Sequence, residues 1–443
     1  MLQAGFSRID ITPPLGTYMQ GYYNARRADG ILDPLTASCI ALRDGEGHTA
    51  LVFSLDLIGI EQKTADEARK TVADIAGVPE EAVFLACTHT HTGPCMSTKL
   101  YPHNPVYNGY CFARLGTCAK AAIDDLAPAE LFGAEGRAEG ISFVRRFRMK
   151  DGTIRTNPGW KNPDVRCPIG TPDETLRLVR IVREGSPEIA VVNFQVHPDV
   201  IGGTKWSADF PGFVRRTLEG ALPGVHAVYL NGAQGDTNHF DISRSPADPD
   251  AAAFPVGGYA HARYMGQVIA AGALAVYGTA QPLGGPDRVA YAVRDLETPA
   301  NRPAPDEIPR AREIVRLHEA GHDDQIPETG MGVVTLVAEA YKMLRLAEAG
   351  DTLKLHMSAV TVGNLAFAGF PGEPFTDIGR GVREASPYPF TMACCLVNGS
   401  EGYLPMYSAF AEGGYEARSS EFCPGVAEEL IAGQARLLRA LHG

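Results

Sequence analysis

Two histidines separated by one residue, His89 and His91 in CTHTHTGP, open the chemical reading of this chain. In extended backbone, residues i and i+2 project to the same side. Both imidazoles can therefore reach one metal ion, or one can bind while the other meets a substrate. The apolar run AVFLAC just before them predicts a buried strand, and Gly93-Pro94 turns the chain away beyond its end, where α/β enzymes place ligands. A third histidine, His197, closes the run VVNFQVHP and is stopped by Pro198. Ser207, Asp209 and Trp206 in KWSADFPG are candidates to orient its ring, because metal-bound imidazoles usually donate their second N–H to an oxygen.

Three further segments carry oxygen donors. LNGAQGDTNHF (230–240) predicts a strand and then a turn punctuated by Gly232 and Gly235, with Asp236, Thr237, Asn238 and His239 behind them. Such a loop can offer a hydroxyl and backbone N–H groups to a reacting carbonyl. FPGEPFTDIGRGVRE sets Glu373 between Gly372 and Pro374, just before a helix. NGSEGYLPMYSAFAEGGYE is a long loop rich in glycine and tyrosine. Taken singly, each has an ordinary structural alternative: a satisfied core histidine, a turn, a helix-dipole glutamate or packing tyrosines.

The elements that must position these residues alternate short apolar runs with amphipathic stretches, the pattern of an α/β protein. Strands are predicted at ALVFSLDLIGI (50–60), AVFLAC (82–87), LRLVRIV, IAVVNFQVH, HAVYLNG, LKLHMSAVTVG, NLAFAGF and FTMACCLVNG. Helices are predicted over KTADEARKTVADIAG, YCFARLGTCAKAAIDDL, DFPGFVRRTLEGAL, GYAHARYMGQVIAAGALAVYG and GVAEELIAGQARLLRALH. From residue 298 to about 350 the chain becomes Pro-rich and then charged and helical, which reads as a surface insertion or lid. No repeat or low-complexity tract interrupts the rest. The expectation is one α/β domain spanning residues 1–443, a mixed sheet core flanked by helices with a helical insertion at 298–350.

Composition bounds the function classes. A net charge of −12 over 443 residues argues against a general nucleic-acid binder. No apolar stretch approaches the ~18 residues of a membrane helix, so no stable membrane insertion is expected. The N-terminus MLQAGFSRIDITPP lacks a basic region followed by an apolar core, and nine cysteines are scattered without paired metal spacings. Both features point to free thiols and a cytoplasmic location. Whether the chain forms a homo-oligomer is left open.

Taken in order, THTHTGP, the strand-terminal VHP, NGAQGDTN, PGEPFTDIGR and GYLPMY resemble the neutral ceramidase family, as do the opening GFSRIDITPP…GYYN and the FSLDL strand. The resemblance runs from about Gly5 to Pro424. It implies a zinc ion bound by His89, His197, Glu373 and Tyr403, with Tyr407 and Tyr415 as secondary tyrosine candidates. Nitrogen and oxygen ligands suit zinc, and a divalent cation can lower the pKa of a phenol. The resemblance further implies an amide hydrolase in which His91 shuttles a proton or holds an oxyanion, Thr237 supports the water or carbonyl, and Arg145 in FVRRFR holds a substrate oxygen. Two positions depart from the family pattern. Its loop serine follows Gly-Asp-x, so Thr237 matches only with a one-residue shift, and the asparagine usual before the arginine is Val144. The family's signal sequence and C-terminal immunoglobulin-like domain have no counterpart here, which points to a smaller, more soluble N-acyl substrate. An esterase or lactonase using the same site, and a non-catalytic ligand-binding relative, are the alternatives. Metallo-β-lactamase, amidohydrolase-barrel and metallophosphoesterase patterns fit worse, because their further ligands and strings are not found.

Overall fold

The structure is a computed structural model, and it describes residues 1–97, 101–248 and 256–442. The main elements follow in chain order. They begin with β1 (Gln3–Asp10), β2 (Thr36–Arg43), β3 (Thr49–Leu55), α1 (Gln62–Ala76), β4 (Val83–Cys87), α2 (Pro105–Asp124), β5 (Ala127–Arg137), β6 (Thr175–Arg183) and β7 (Glu188–Phe194). Next come α3 (Asp209–Ala221), β8 (Val225–Asn231), α4 (Gly258–Tyr277), β9 (Val289–Pro299), α5 (Ile308–Glu319) and α6 (Met331–Ala347). The chain closes with β10 (Thr352–Val362), β11 (Leu365–Gly369), α7 (Thr376–Ala385), β12 (Phe390–Cys394) and α8 (Val426–His442).

Two mixed sheets lie face to face. The larger runs β8-β7-β6-β5-β1-β2-β3-β4, with the short strand Gln281–Pro282 paired beside β5; the smaller runs β9-β10-β11-β12. The pairs β3–β4, β7–β8 and β11–β12 are parallel, and the other pairings along these paths are antiparallel. Period-two alternation explains why strands buried on both faces read as continuous apolar runs. In β3, Leu51, Phe53 and Leu55 face α1 and α2, while Ala50 and Val52 face the second sheet. In β7, Ile189 and Val191 point between the sheets, and Ala190, Val192 and Phe194 pack under α3 and α4. In β11, Leu365 and Phe367 point inward, and Ala366 and Ala368 meet α7 and α8. The result is a four-layer stack of helices, sheet, sheet and helices.

The larger sheet is joined at its middle by only two residue pairs between β1 and β5, so its halves bend toward one another. Ser54 Oγ on β3 donates to the Tyr229 carbonyl on β8 at 2.6 Å, although these strands lie at opposite ends of the strand order. Beyond the carboxyl ends the backbone laces the layers together: Cys395 N donates to Asn231 O and Cys87 N to Leu396 O. Three parallel strand pairs thereby deliver their C-terminal loops to one place.

The expected insertion is a helical hairpin, α5 and α6, that leaves after β9 and returns into β10, with its own small apolar cluster that includes Ile314, Leu336 and Val337. It is docked over the N-terminal loop: His318 Nε2 lies 2.6 Å from Tyr23 O, and the Tyr23 and Tyr341 rings stack at 6.0 Å. Among the described residues no helix is long and apolar enough to cross a membrane.

Candidate metal centre

His89 stands two residues past β4 with φ of 74°, a left-handed conformation that a non-glycine residue adopts at some cost. Its Nδ1 lies 2.6 Å from Ile58 O, which places the proton on Nδ1 and leaves Nε2 as a bare lone pair. His197 follows β7, and its Nε2 lies 3.1 Å from that of His89. His91 completes a triangle, its Nε2 at 3.3 Å from His89 and 3.0 Å from His197. All three rings are buried, and their ligand atoms fall within 4.8 Å of one another. Nitrogens bound to one tetrahedral ion at ~2.0–2.1 Å stand roughly 3.3 Å apart, so the observed spacing fits a shared cation.

Electrostatics points the same way. Burial, reinforced by nearby arginines, pushes His91 and His197 well below the ordinary imidazole pKa. A neutral imidazole keeps one lone pair that a cation can accept. A buried histidine group able to hold a metal is therefore part of this molecule.

Oxygen donors adjoin the triangle. Glu373 enters from the loop after β11, its Oε2 at 3.4 Å from His89 Nε2. Burial acts to raise this carboxyl, but His89, Arg145 and Tyr403 outweigh it and hold it below the usual carboxylate range. A two-residue parallel bridge ties Glu373-Pro374 to Tyr403-Leu404, so carboxylate and phenol are held by one backbone contact. Burial drives the Tyr403 phenol far above its usual value, with only Arg145 opposing. A phenolate there requires a cation.

Arg145 is buried behind Tyr403. Its Nε donates to Glu416 at 2.6 Å, Nη2 donates to Gly235 O at 2.6 Å, and Nη1 faces His197 Nδ1 at 3.3 Å. Two of its three nitrogens are thus committed to the protein. Thr237 is fully buried in a short pairing with Val144, and its hydroxyl donates to Gln234 O at 3.1 Å. Asp236, just before it, accepts from the Thr376 N–H and hydroxyl and anchors the start of α7.

The structure thus brings together His89, His91, His197, Glu373, Tyr403 and Arg145, and sets Thr237 on the loop behind them. Tyr407 stands apart, 63% exposed, whereas Tyr415 packs edge-on against Tyr403 at 5.4 Å. The expected orienting partners of His197 need correction. Asp209 accepts the N–H groups of Val200 and Ile201 and braces the loop after His197, Ser207 bonds Asp33, and Trp206 is core; the imidazole itself meets Arg145.

Several functional neighbours were not singled out from the sequence. Asp199 lies 3.5 Å from His91 Nδ1 and accepts a short hydrogen bond from Tyr22; burial raises its pKa to about 6. The VHPD string offered a signal, since Asp199 is two residues beyond His197. Gly21, at φ +131°, lets the N-terminal loop approach the His91 ring, where a Cβ would sit 3.0 Å away. Glu416 gave no sequence signal and is revealed only by its contact with Arg145. A cavity of about 170 Å³ opens onto the group, lined by His89, His91, Glu373, Tyr403 and Tyr415 and roofed by Tyr341 of α6.

No protein-family model matches the chain. No curated protein matches it either. Among solved structures, it is similar to the neutral ceramidase from Pseudomonas aeruginosa, with a TM-score of 0.73 and 19% identity over 100% of this chain and 74% of that one. It is likewise similar to a ceramidase complexed with C2, with a TM-score of 0.72 and 19% identity over 99% of this chain and 75% of that one. At this identity the likeness is one of fold, and the fold is that of a neutral ceramidase catalytic domain.

Proposed function

We propose that this chain is a zinc-dependent hydrolase that cleaves the amide bond of a small N-acyl substrate, with the metal held by His89, His197, Glu373 and Tyr403. The observation that carries the reading is the convergence of three buried imidazole Nε2 atoms at 3.0–3.3 Å with a carboxylate beside them. The ceramidase fold supports the same chemistry, because ceramidases hydrolyse an amide.

When bound, zinc supplies a Lewis acid and water with a pKa near 7. The remaining work falls to side chains. His91 Nε2 is placed to take a proton at the cluster and pass it to the leaving nitrogen, with Asp199 facing its other ring nitrogen. Arg145 offsets the negative charge of Glu373 and Tyr403, and its Nη1 is the group available to a substrate oxygen. Thr237 supports the Gln234–Gly235 loop against which Glu373 rests, so Thr237→Ala is expected to slow turnover with the metal retained.

The test is zinc per chain by plasma mass spectrometry, paired with hydrolysis of matched N-acetyl amides and acetate esters. Wild-type protein should hold about one zinc and cleave amides, and His89→Ala should lose both. Turnover of esters alone makes it an esterase. Absence of stoichiometric metal together with no hydrolysis of either substrate refutes the reading.

A further inference from the structure

A second cavity of about 400 Å³ lies beside the first, and the two share one wall residue, Tyr415. The same helix roofs both. Met331, Gly332 and Thr335 of α6 line the second cavity, while Ala338, Tyr341 and Arg345 line the metal-side one. Steps of three and four place these residues along one face of α6, so one helix face covers both spaces. The opposite wall is equally continuous: Gly414, Tyr415 and Arg418 bound the second cavity, and Tyr415 and Ser419 the first. The metal-side space alone falls short of the roughly 300–1,000 Å³ usual for ligand sites, and the second cavity supplies the missing volume.

The lining of this second space is mixed, with polar and charged groups over about half of it. Thr329 contributes a hydroxyl, Asn157 an amide, Arg155 a guanidinium and Glu328 a carboxylate, while the hydroxyls of Thr153, Thr156 and Thr335 already donate to Asp151, Glu416 and the Met331 carbonyl. Of the sixteen lining residues, Ile154, Pro158 and Met331 are the wholly aliphatic side chains. An alkyl chain laid here would strip water from hydroxyls and charges without replacing their hydrogen bonds. A hydroxylated group would replace them.

We infer that the trough under α6 is a substrate subsite, and that it takes the polar, hydroxyl-bearing half of an N-acyl amine instead of a long alkyl chain. The inference rests on the amide-hydrolase reading for its chemistry, and on the cavity alone for its binding. Tyr415 stands at the junction, so the scissile bond lies on the metal side of its ring and the polar half on the other.

The test uses zinc-loaded full-length protein, N-acetylglucosamine as the polar probe and N-acetylhexylamine as the alkyl one. Wild type should cleave the polar amide with kcat/KM at least tenfold above the alkyl amide. Thr335→Leu, which fills the trough with a methyl-rich side chain, should raise KM for the polar amide and so erase that preference. Thr153→Trp, on an exposed turn at the other side, should do the same should the first variant fold poorly. Hydrolysis of both probes without preference, or wild-type constants in both variants, sinks the subsite while the hydrolase reading stands. Should neither probe be cleaved, isothermal calorimetry decides. N-acetylglucosamine binding that both variants weaken sustains the subsite and removes the amidase, and no binding ends the inference.

Discussion

Gly235 offers a test of the site that touches no ligand and no reacting group. A Cβ built at this residue would lie 2.3 Å from the Glu373 carbonyl oxygen and 3.0 Å from that of Pro374, both backbone atoms. Gly235 is not among the residues with positive φ, so alanine meets no intrinsic backbone penalty and the perturbation is purely steric. To clear 3.0 Å the Glu373 backbone must retreat by about 0.7 Å. That exceeds the ~0.5 Å tolerance within which a functional constellation keeps its geometry. The carboxylate and, through the two-residue bridge, Tyr403 move with it. Misplacement on the ångström scale costs on the order of 100-fold in rate. Overpacking of this kind costs about 1–3 kcal/mol in stability, so a protein of ordinary stability still folds. Gly235→Ala should therefore lower zinc affinity and kcat by one to two orders of magnitude at intact secondary structure. Zinc affinity is read by competition with a chromogenic chelator, and folding by circular dichroism. Gly220→Ala in α3, where nothing lies within 4 Å of the new methyl, is the control and should be silent. Wild-type metal affinity and rate in Gly235→Ala would refute the claim that the Gln234–Asp236 loop and Glu373 form one rigid seat.

Three other outcomes follow from the same geometry. Tyr403→Phe should weaken zinc binding at least tenfold, whereas His91→Ala should keep the metal and lose turnover; the reverse result, by mass spectrometry and kinetics, would make His91 a ligand. Glu416→Gln removes the charge partner of buried Arg145 and should cost about 3 kcal/mol or more in urea unfolding, with Thr156→Val, which removes a neutral donor to Glu416 and an acceptor for the Tyr415 N–H, costing less, about 1–2. In metal-free protein, burial lowers the pKa of His91, His197, His226, His239 and His261, so on acidification these protonate in the unfolded chain first and stability falls as pH drops below about 6.5. Burial raises Asp199 to about 6, Asp209 to about 7 and Asp236 in the same direction, which opposes the trend. Five histidines outnumber the three carboxyls, so stability should fall on acidification between pH 6 and 4.5, and flat urea midpoints across that range would contradict it.

The parts of this fold that were legible in the sequence are those whose signal is local. Strands buried on both faces, such as β3, β4, β7, β8 and β11, read as apolar runs, and α1, α3, α4 and α8 as amphipathic stretches. β1, β2, β5 and β9 carry no clear strand signal in the sequence; half-buried β5, APAELFGAEGR, mixes polar, glycine and apolar residues without a clean period, and buried β2, TASCIALR, is built from small and polar residues around Ile40 and Leu42. That the strands divide into two stacked sheets is a matter of pairing, which no single segment encodes. The same distinction governs the site. His89, His197 and Glu373 stand at strand ends beside glycine or proline, and their local setting marks them. Asp199, Tyr22 and Glu416 act through contacts across 108 to 271 residues of chain, from Asp199 facing His91 to Glu416 bonding Arg145, and are visible only once the layers are assembled. Asp199 is the intermediate case, close in sequence to one imidazole and in space to another.

Charge balance bears on which donors hold a cation here. Five side chains converge, His89, His91, His197, Glu373 and Tyr403, where a tetrahedral zinc takes four ligands and keeps a place for water only by making one of them weak or distant. Three imidazoles and Glu373 would leave a net single positive charge in a buried pocket that already contains the Arg145 guanidinium 3.3 Å from His197. Unscreened like charges at that range are costly. Replacing His91 by Tyr403 as phenolate makes the metal and its ligands neutral overall, and the pair Arg145–Glu416 is neutral by itself. The phenol sits where this exchange is easiest, with Arg145 over its ring at 5.1 Å and its backbone bridged to Glu373. His91 is then the imidazole left with a free Nε2 at the cluster and a carboxylate 3.5 Å from its Nδ1, the setting a proton carrier needs and a ligand does not. The same electrostatics that hold Tyr403 protonated without metal would thus make its deprotonation the step that couples metal capture to a neutral, closed site.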